Sequence, residues 1–70
     1  MNEAESIIRQ SMAKNKITHD YELAKRIGIT RQSFSRKMNI PRTFTIQEIK
    51  AIAEDFHWTD EELGSFIRAI

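Results

Sequence analysis

The chain has no cysteine, one proline and two glycines among its 70 residues, and its apolar runs are a few residues long at most. Each lack removes a class of answer. Without cysteine there is no disulfide framework and no thiolate zinc site to hold so small a protein together. Turn residues this sparse do not suffice for a multi-hairpin β fold. No segment is long enough in apolar residues to span a membrane, and Met1 to Met12 contains no signal-peptide apolar region. A cytoplasmic protein is therefore expected. Nor does one sign of charge dominate, since 11 basic and 10 acidic residues leave a net charge of +1. What is present, 40% hydrophobic and 30% charged residues, describes a globular chain rather than a disordered one. At this length folding buries roughly 60% of the surface that the unfolded chain exposes. Stability must then come from well-packed helices or from oligomerisation.

No repeat or linker divides the sequence, so residues 1–70 read as one domain. Caps and apolar spacing predict five short helices. Thr45-Ile46-Gln47-Glu48 has the form of a capping box, in which Thr45 and Glu48 satisfy each other's backbone N–H groups. Phe44 and Ile49 stand at the hydrophobic-staple positions around it. Thr59-Asp60-Glu61-Glu62 repeats the device with Trp58 and Leu63. Thr30 starts a third helix with Ile29 and Phe34 as staple, although Ser33 stands where a box has Glu. The stripe Ile46, Ile49, Ile52, Ala53 and Phe56 predicts one buried helical face, and Leu63, Phe66, Ile67 and Ile70 another. An early helix, from about Asn2 to Lys14, turns Ala4, Ile7, Ile8 and Met12 inward. A second begins within Thr18 to Asp20, buries Leu23, Ala24 and Ile27, and stops at Gly28. The third runs from Thr30 to about Asn39, with Phe34 and Met38 inside, and Ile40-Pro41 ends it. A loop covers Ile40 to Phe44. The fold class is all-α.

Helix, short glycine-containing turn, helix is the helix-turn-helix arrangement. Its demands are met one by one. Ala24 is small where the second helix must cross the first closely. Gly28 tolerates the positive φ of the turn. Leu23, Ile27, Ile29 and Phe34 are spaced to lock the two helices at a steep angle. At about 100° per residue from Phe34, Gln32, Ser33, Arg36 and Asn39 point away from the core, with Arg31 and Ser35 on one flank. All of these side chains hydrogen-bond and none is acidic. An arginine pairs bidentately with guanine O6 and N7, and a glutamine with adenine N6 and N7. A face without carboxylates is also free to approach phosphates.

The stretch Leu23-Ala24-Lys25-Arg26-Ile27-Gly28-Ile29-Thr30-Arg31-Gln32-Ser33-Phe34-Ser35-Arg36-Lys37-Met38 resembles the phage repressor and Cro-type helix-turn-helix family, also called XRE-like. The likeness continues through Phe44-Thr45-Ile46-Gln47-Glu48-Ile49 and Ile52-Ala53 to Thr59 and Leu63. It implies a compact five-helix bundle of the lambda-repressor-like type, with the helix-turn-helix at helices 2 and 3. It further implies a transcriptional regulator, Cro-like and of phage or prophage type. Such a protein binds double-stranded DNA at a near-palindromic operator through the major groove, as a homodimer. By the same resemblance Arg31, Gln32 and Arg36, with Ser35, match base-reading positions. Thr30, Arg42 and Thr43 match positions that touch the DNA backbone, and Ser33 and Lys37 beside them are assigned to the backbone as well, Lys37 being equally readable as a surface cation. The chain departs from the family where His57 stands in place of a frequent glycine after the fourth helix; a left-handed backbone there is acceptable for His but costlier.

A helical protein-interaction module, such as an antitoxin or adaptor that keeps the fold without the DNA, is the alternative reading. An enzyme is not expected. His19 and His57 match no metal-ligand spacing, and no nucleophile-and-base pair or phosphate-cradling glycine loop is present. No metal, cofactor or small-molecule substrate is anticipated. Asp60, Glu61 and Glu62 have a sufficient local purpose in complementing a helix dipole. Trp58 reads as a core staple, and Tyr21 as either packing or touching a phosphate. In the last helix, Phe66, Ile67 and Ile70 either close the core or meet a second copy. The near-neutral total conceals a separation of charge. Residues 1–19 carry +1, residues 20–44 carry six cations against Asp20 and Glu22, and residues 45–70 carry Lys50 and Arg68 against six carboxylates. The positive segment is the helix-turn-helix with its following loop, and such a split orients a protein on DNA.

Overall fold

A computed structural model describes all residues, 1–70, and contains helices α1 (Glu3–Lys14), α2 (Asp20–Arg26), α3 (Arg31–Asn39), α4 (Ile46–Phe56) and α5 (Asp60–Ala69), with a 3-10 turn at Pro41–Thr43. The starts are set by side-chain oxygens. Asn2, Thr30, Thr45 and Thr59 each accept from the backbone N–H three residues on, and Thr45–Glu48 and Thr59–Glu62 close complete capping boxes. Only α2 starts without such a cap, at His19.

Three helix ends share one device, a Schellman turn. After α1, Ile17 N–H reaches the Met12 carbonyl at 2.9 Å and Lys16 N–H the Ala13 carbonyl at 3.2 Å. After α2, Ile29 bonds Ala24 and Gly28 bonds Lys25; after α4, Trp58 bonds Ala53 and His57 bonds Glu54. Each turn needs one residue with positive φ, and these are Lys16 at 58°, Gly28 at 80° and His57 at 54°. Gly28 accepts this conformation at no steric cost, whereas Lys16 and His57 carry some strain. An apolar residue follows each one (Ile17, Ile29, Trp58) and folds back on the core. The chain thus reverses tightly three times with only one glycine spent.

Thirteen buried apolar residues from every helix, the α1–α2 connection and the 3-10 turn's exit form one core. Phe34, Phe66, Ile8, Leu23 and Ile52 are its largest fully buried members. Phe34, Phe44 and Phe66 make two edge-to-face contacts at 6.4 and 6.0 Å. Trp58 lies half-buried, with its ring 5.3 Å from Phe66 and its indole N–H donating to Ser11 Oγ at 2.8 Å. That bond satisfies the polar group of a staple residue that would otherwise be costly to cover. α2 packs on α3, and α1 packs on both α3 and α5.

Two expectations need correction. Ile46 was expected in the buried stripe of α4 but is 76% exposed. At about 100° per residue it lies roughly 120° round the helix from Ile52, and as the first residue of α4 it lies off the centre of the packed stripe. Glu48, by contrast, falls only about 40° from Ile52, so α4 turns a carboxylate towards the core. In α5, Phe66 is buried while Ile67 and Ile70 stay 53% and 43% exposed, which divides the predicted stripe.

Candidate nucleic-acid interface

The α2–α3 pair is built as the sequence demands. Ala24 and Leu23 are buried where α3 crosses, the Schellman turn at Gly28 reverses the chain, and Phe34 and Met38 anchor the inner side of α3. With that side fixed, Arg31, Gln32, Ser35, Arg36 and Asn39 are all exposed, and α3 contains no acidic residue. Thr30 accepts the Ser33 N–H at 3.1 Å, which leaves its hydroxyl proton free to donate outward. Ser33 is half-buried behind this cap. Arg42 projects, exposed, from the 3-10 turn that follows α3.

Two residues assigned to the DNA backbone on sequence grounds have other partners here. Lys37 lies about 60° round α3 from Phe34 and is half-buried; its ammonium reaches the Glu48 carboxylate at 2.6 Å. Both side chains are little exposed, at 14% and 13%. Thr43 donates its hydroxyl to the Ile40 carbonyl at 2.7 Å and its N–H to the same oxygen at 3.0 Å. Phosphate oxygens only accept hydrogen bonds, and in this DNA-free arrangement both Thr43 donors point to the Ile40 carbonyl.

Glu48 serves two helices at once, closing the α4 capping box through Thr45 N–H at 2.8 Å and holding Lys37 of α3. Burial alone would raise its pKa. The hydrogen bonds from Lys37 and from the Thr45 backbone outweigh that cost and hold it below the usual carboxylate range. The folded-state value is thus depressed. The stabilisation is present above the ordinary value of 4.5 and is lost as the pH falls through the lower folded one. Unfolding followed against pH should therefore show a loss of stability below about pH 4.5, and Glu48→Gln should flatten part of that fall. An equally steep fall in the variant would place the effect elsewhere.

Ion pairing also sorts the cations. Arg26 is taken by Asp55 at 3.2 Å and Lys37 by Glu48, whereas Lys25, Arg31, Arg36 and Arg42 have no acidic partner. Three of these four lie on α3 and the turn after it. The exposed side of the helix-turn-helix thus carries free positive charge with no carboxylate on α3, although Lys14, Lys16, Lys50 and Arg68 on other elements are equally unpaired, and Asp60 and Glu61 lie exposed at the start of α5. No helix is long and apolar enough to cross a membrane.

The family model of the Cro/C1-type HTH DNA-binding domain matches residues 8–67 of the chain. No curated protein and no solved structure matches the chain.

Proposed function

The chain belongs to the Cro/C1-type HTH DNA-binding domain family, and from that premise we propose that residues 1–70 act as one sequence-specific DNA-binding domain, a Cro-like repressor of phage or prophage type working in the cytoplasm of a bacterial host. The observation that carries this reading is the outer face of α3, exposed, free of carboxylates and rigidly backed by Phe34 and Met38. α3 enters the major groove. Arg31, Gln32 and Arg36 read base edges through bidentate hydrogen bonds, and Ser35 adds a hydroxyl between them. Thr30 donates its free hydroxyl proton to a phosphate, Ser33 lies beside it on the same strand, and Arg42 holds the backbone from the turn after α3. Lys37, held by Glu48, and Thr43, exposed on the turn beside Arg42, complete the backbone-contacting set at its edge.

Arg42 separates anchoring from reading. Arg42→Ala should weaken binding to all sequences alike and lower the slope of log affinity against log salt by about one unit. A loss confined to one sequence, with the slope unchanged, would make Arg42 a base reader instead.

The operator is near-palindromic and two copies bind it with half-sites about 34 Å apart. The backbone measures 27 Å along its longest axis, so two copies in contact are the right size to set their recognition helices at that spacing. Ile70 and Ile40 are each more than 40% exposed and, with Pro41 and Ala69, form the apolar side of a shallow groove beside the end of α3 that Asn2, Asn39 and Arg42 also line. We assign this patch to the pairing of two copies. Ile70→Ser, which adds no charge beside Arg42, should then weaken binding to a two-half-site duplex about tenfold, the cost of roughly 1.4 kcal/mol in pairing, and leave binding to a single half-site unchanged. Equal weakening on both duplexes would count against this patch.

A further inference from the structure

α3 has no carboxylate of its own, yet the fold brings two beside it. A cleft lined by Glu5, Arg9, Asp20, Ser35, Arg36 and Asn39 joins α1 and the start of α2 to the outer side of α3. Arg9 spans its α1 side. Both guanidinium nitrogens hold the Asp20 carboxylate, Nη1 on Oδ1 and Nη2 on Oδ2 at 3.2 Å, and Glu5 Oε2 lies 3.5 Å from Nη2. The hydrogen bond to Asp20 outweighs the cost of partial burial and raises the pKa of Arg9. The pair remains in reach of solvent, with side chains 36% and 31% exposed. Exposed pairs of this kind contribute little to stability, which does not by itself explain negative charge next to a face that would approach phosphates.

The pair's effect is larger in binding. Attraction to DNA of any sequence grows with each cation that meets a phosphate, and specificity is a difference between two affinities. An unpaired Arg9 would add sequence-independent attraction at the rim of α3. We propose that Asp20 is a specificity-determining residue that acts by charge: it occupies Arg9 and sets a carboxylate beside Arg36, so that DNA gains little from contact with this rim unless its bases are read. This rests on the DNA-binding reading above. Asp20 and Arg9 touch no base in it; they set the background against which Arg36 discriminates.

The test compares the whole protein with Asp20→Asn and Arg9→Gln, titrating random duplex and a selected site over a series of salt concentrations. Thermal unfolding confirms that each variant is folded. Asp20→Asn leaves Arg9 only its longer contact to Glu5, so affinity for random duplex should rise several-fold, up to roughly tenfold. The salt slope should steepen by about one unit, and the ratio of specific to random affinity should fall. Arg9→Gln removes a cation that was already occupied, so its salt slope should equal that of the unsubstituted protein. Asp20→Glu keeps the charge and should keep the ratio, which a purely steric role for Asp20 would not. An unchanged slope and ratio in Asp20→Asn, or a slope lowered by about one unit in Arg9→Gln, would overturn the proposal and leave the DNA-binding reading intact. Absence of salt-dependent binding in the unsubstituted protein would instead sink that reading, and this proposal with it.

Discussion

Phe34→Ala is expected to leave much of the protein unfolded at room temperature. Phe34 is completely buried and meets Phe44 edge-to-face at 6.4 Å. Truncating such a phenylalanine costs about 3–5 kcal/mol, the lost transfer energy together with a cavity that the surroundings only partly close. A chain of this length has roughly 4–10 kcal/mol in all, at 0.05–0.15 kcal/mol per residue. The loss is thus comparable with the whole. It also falls on the inner side of α3, so the reading face loses its support along with the fold. Trp58, the lone tryptophan, lies half-buried against Phe66 and reports the transition by fluorescence in a urea titration. An unfolding free energy within a few tenths of a kcal/mol of the unsubstituted protein would mean that the core does not depend on this ring.

Arg36→Ala should leave the fold intact and remove discrimination. Arg36 is exposed, has no acidic partner and lies on the side of α3 opposite Phe34. If it makes a bidentate contact to guanine, its loss costs about 1–3 kcal/mol at the specific site. That corresponds to roughly 5- to 150-fold in affinity. Random duplex should lose only what one exposed charge contributes. The two duplexes must therefore be titrated at the same salt concentration, and the expected result is a fallen ratio. Equal losses on both would make Arg36 a phosphate anchor and move the reading of bases to Arg31 and Gln32.

Much of this was legible in the sequence because it rests on short-range rules. Caps at Thr30, Thr45 and Thr59 act over three residues, and the turn at Gly28 acts over five, so their partners stand next to them in the chain. The left-handed residue after α4 was legible by a different route, since the resemblance puts a frequent glycine where His57 stands. Lys16 adopts the same conformation, but nothing in its residue type signals it; only the Met12–Ile17 spacing around it does. The ion pairs were harder to read. Arg9 finds Asp20 and Lys37 finds Glu48, each 11 residues away and on another helix. Helical phase does carry part of that signal: Lys37 lies close to the buried side of α3 and Glu48 close to that of α4, so each needed a partner. Ile46 fails for the opposite reason. Its spacing fits an apolar stripe, but the accumulated rotation from Ile52 carries it onto the flank. The site residues on α3 were legible as a face. Which of the cations near it are free was not, because that depends on carboxylates brought in from α1, α2 and α4.

The central claim is that α3 reads a DNA sequence in two symmetric copies, and selection of bound duplexes from a random pool tests it most directly. The expected result is enrichment of a two-fold symmetric consensus whose half-sites lie about one helical turn apart, with guanine at positions whose preference relaxes in Arg36→Ala. A pool that stays unenriched would contradict it.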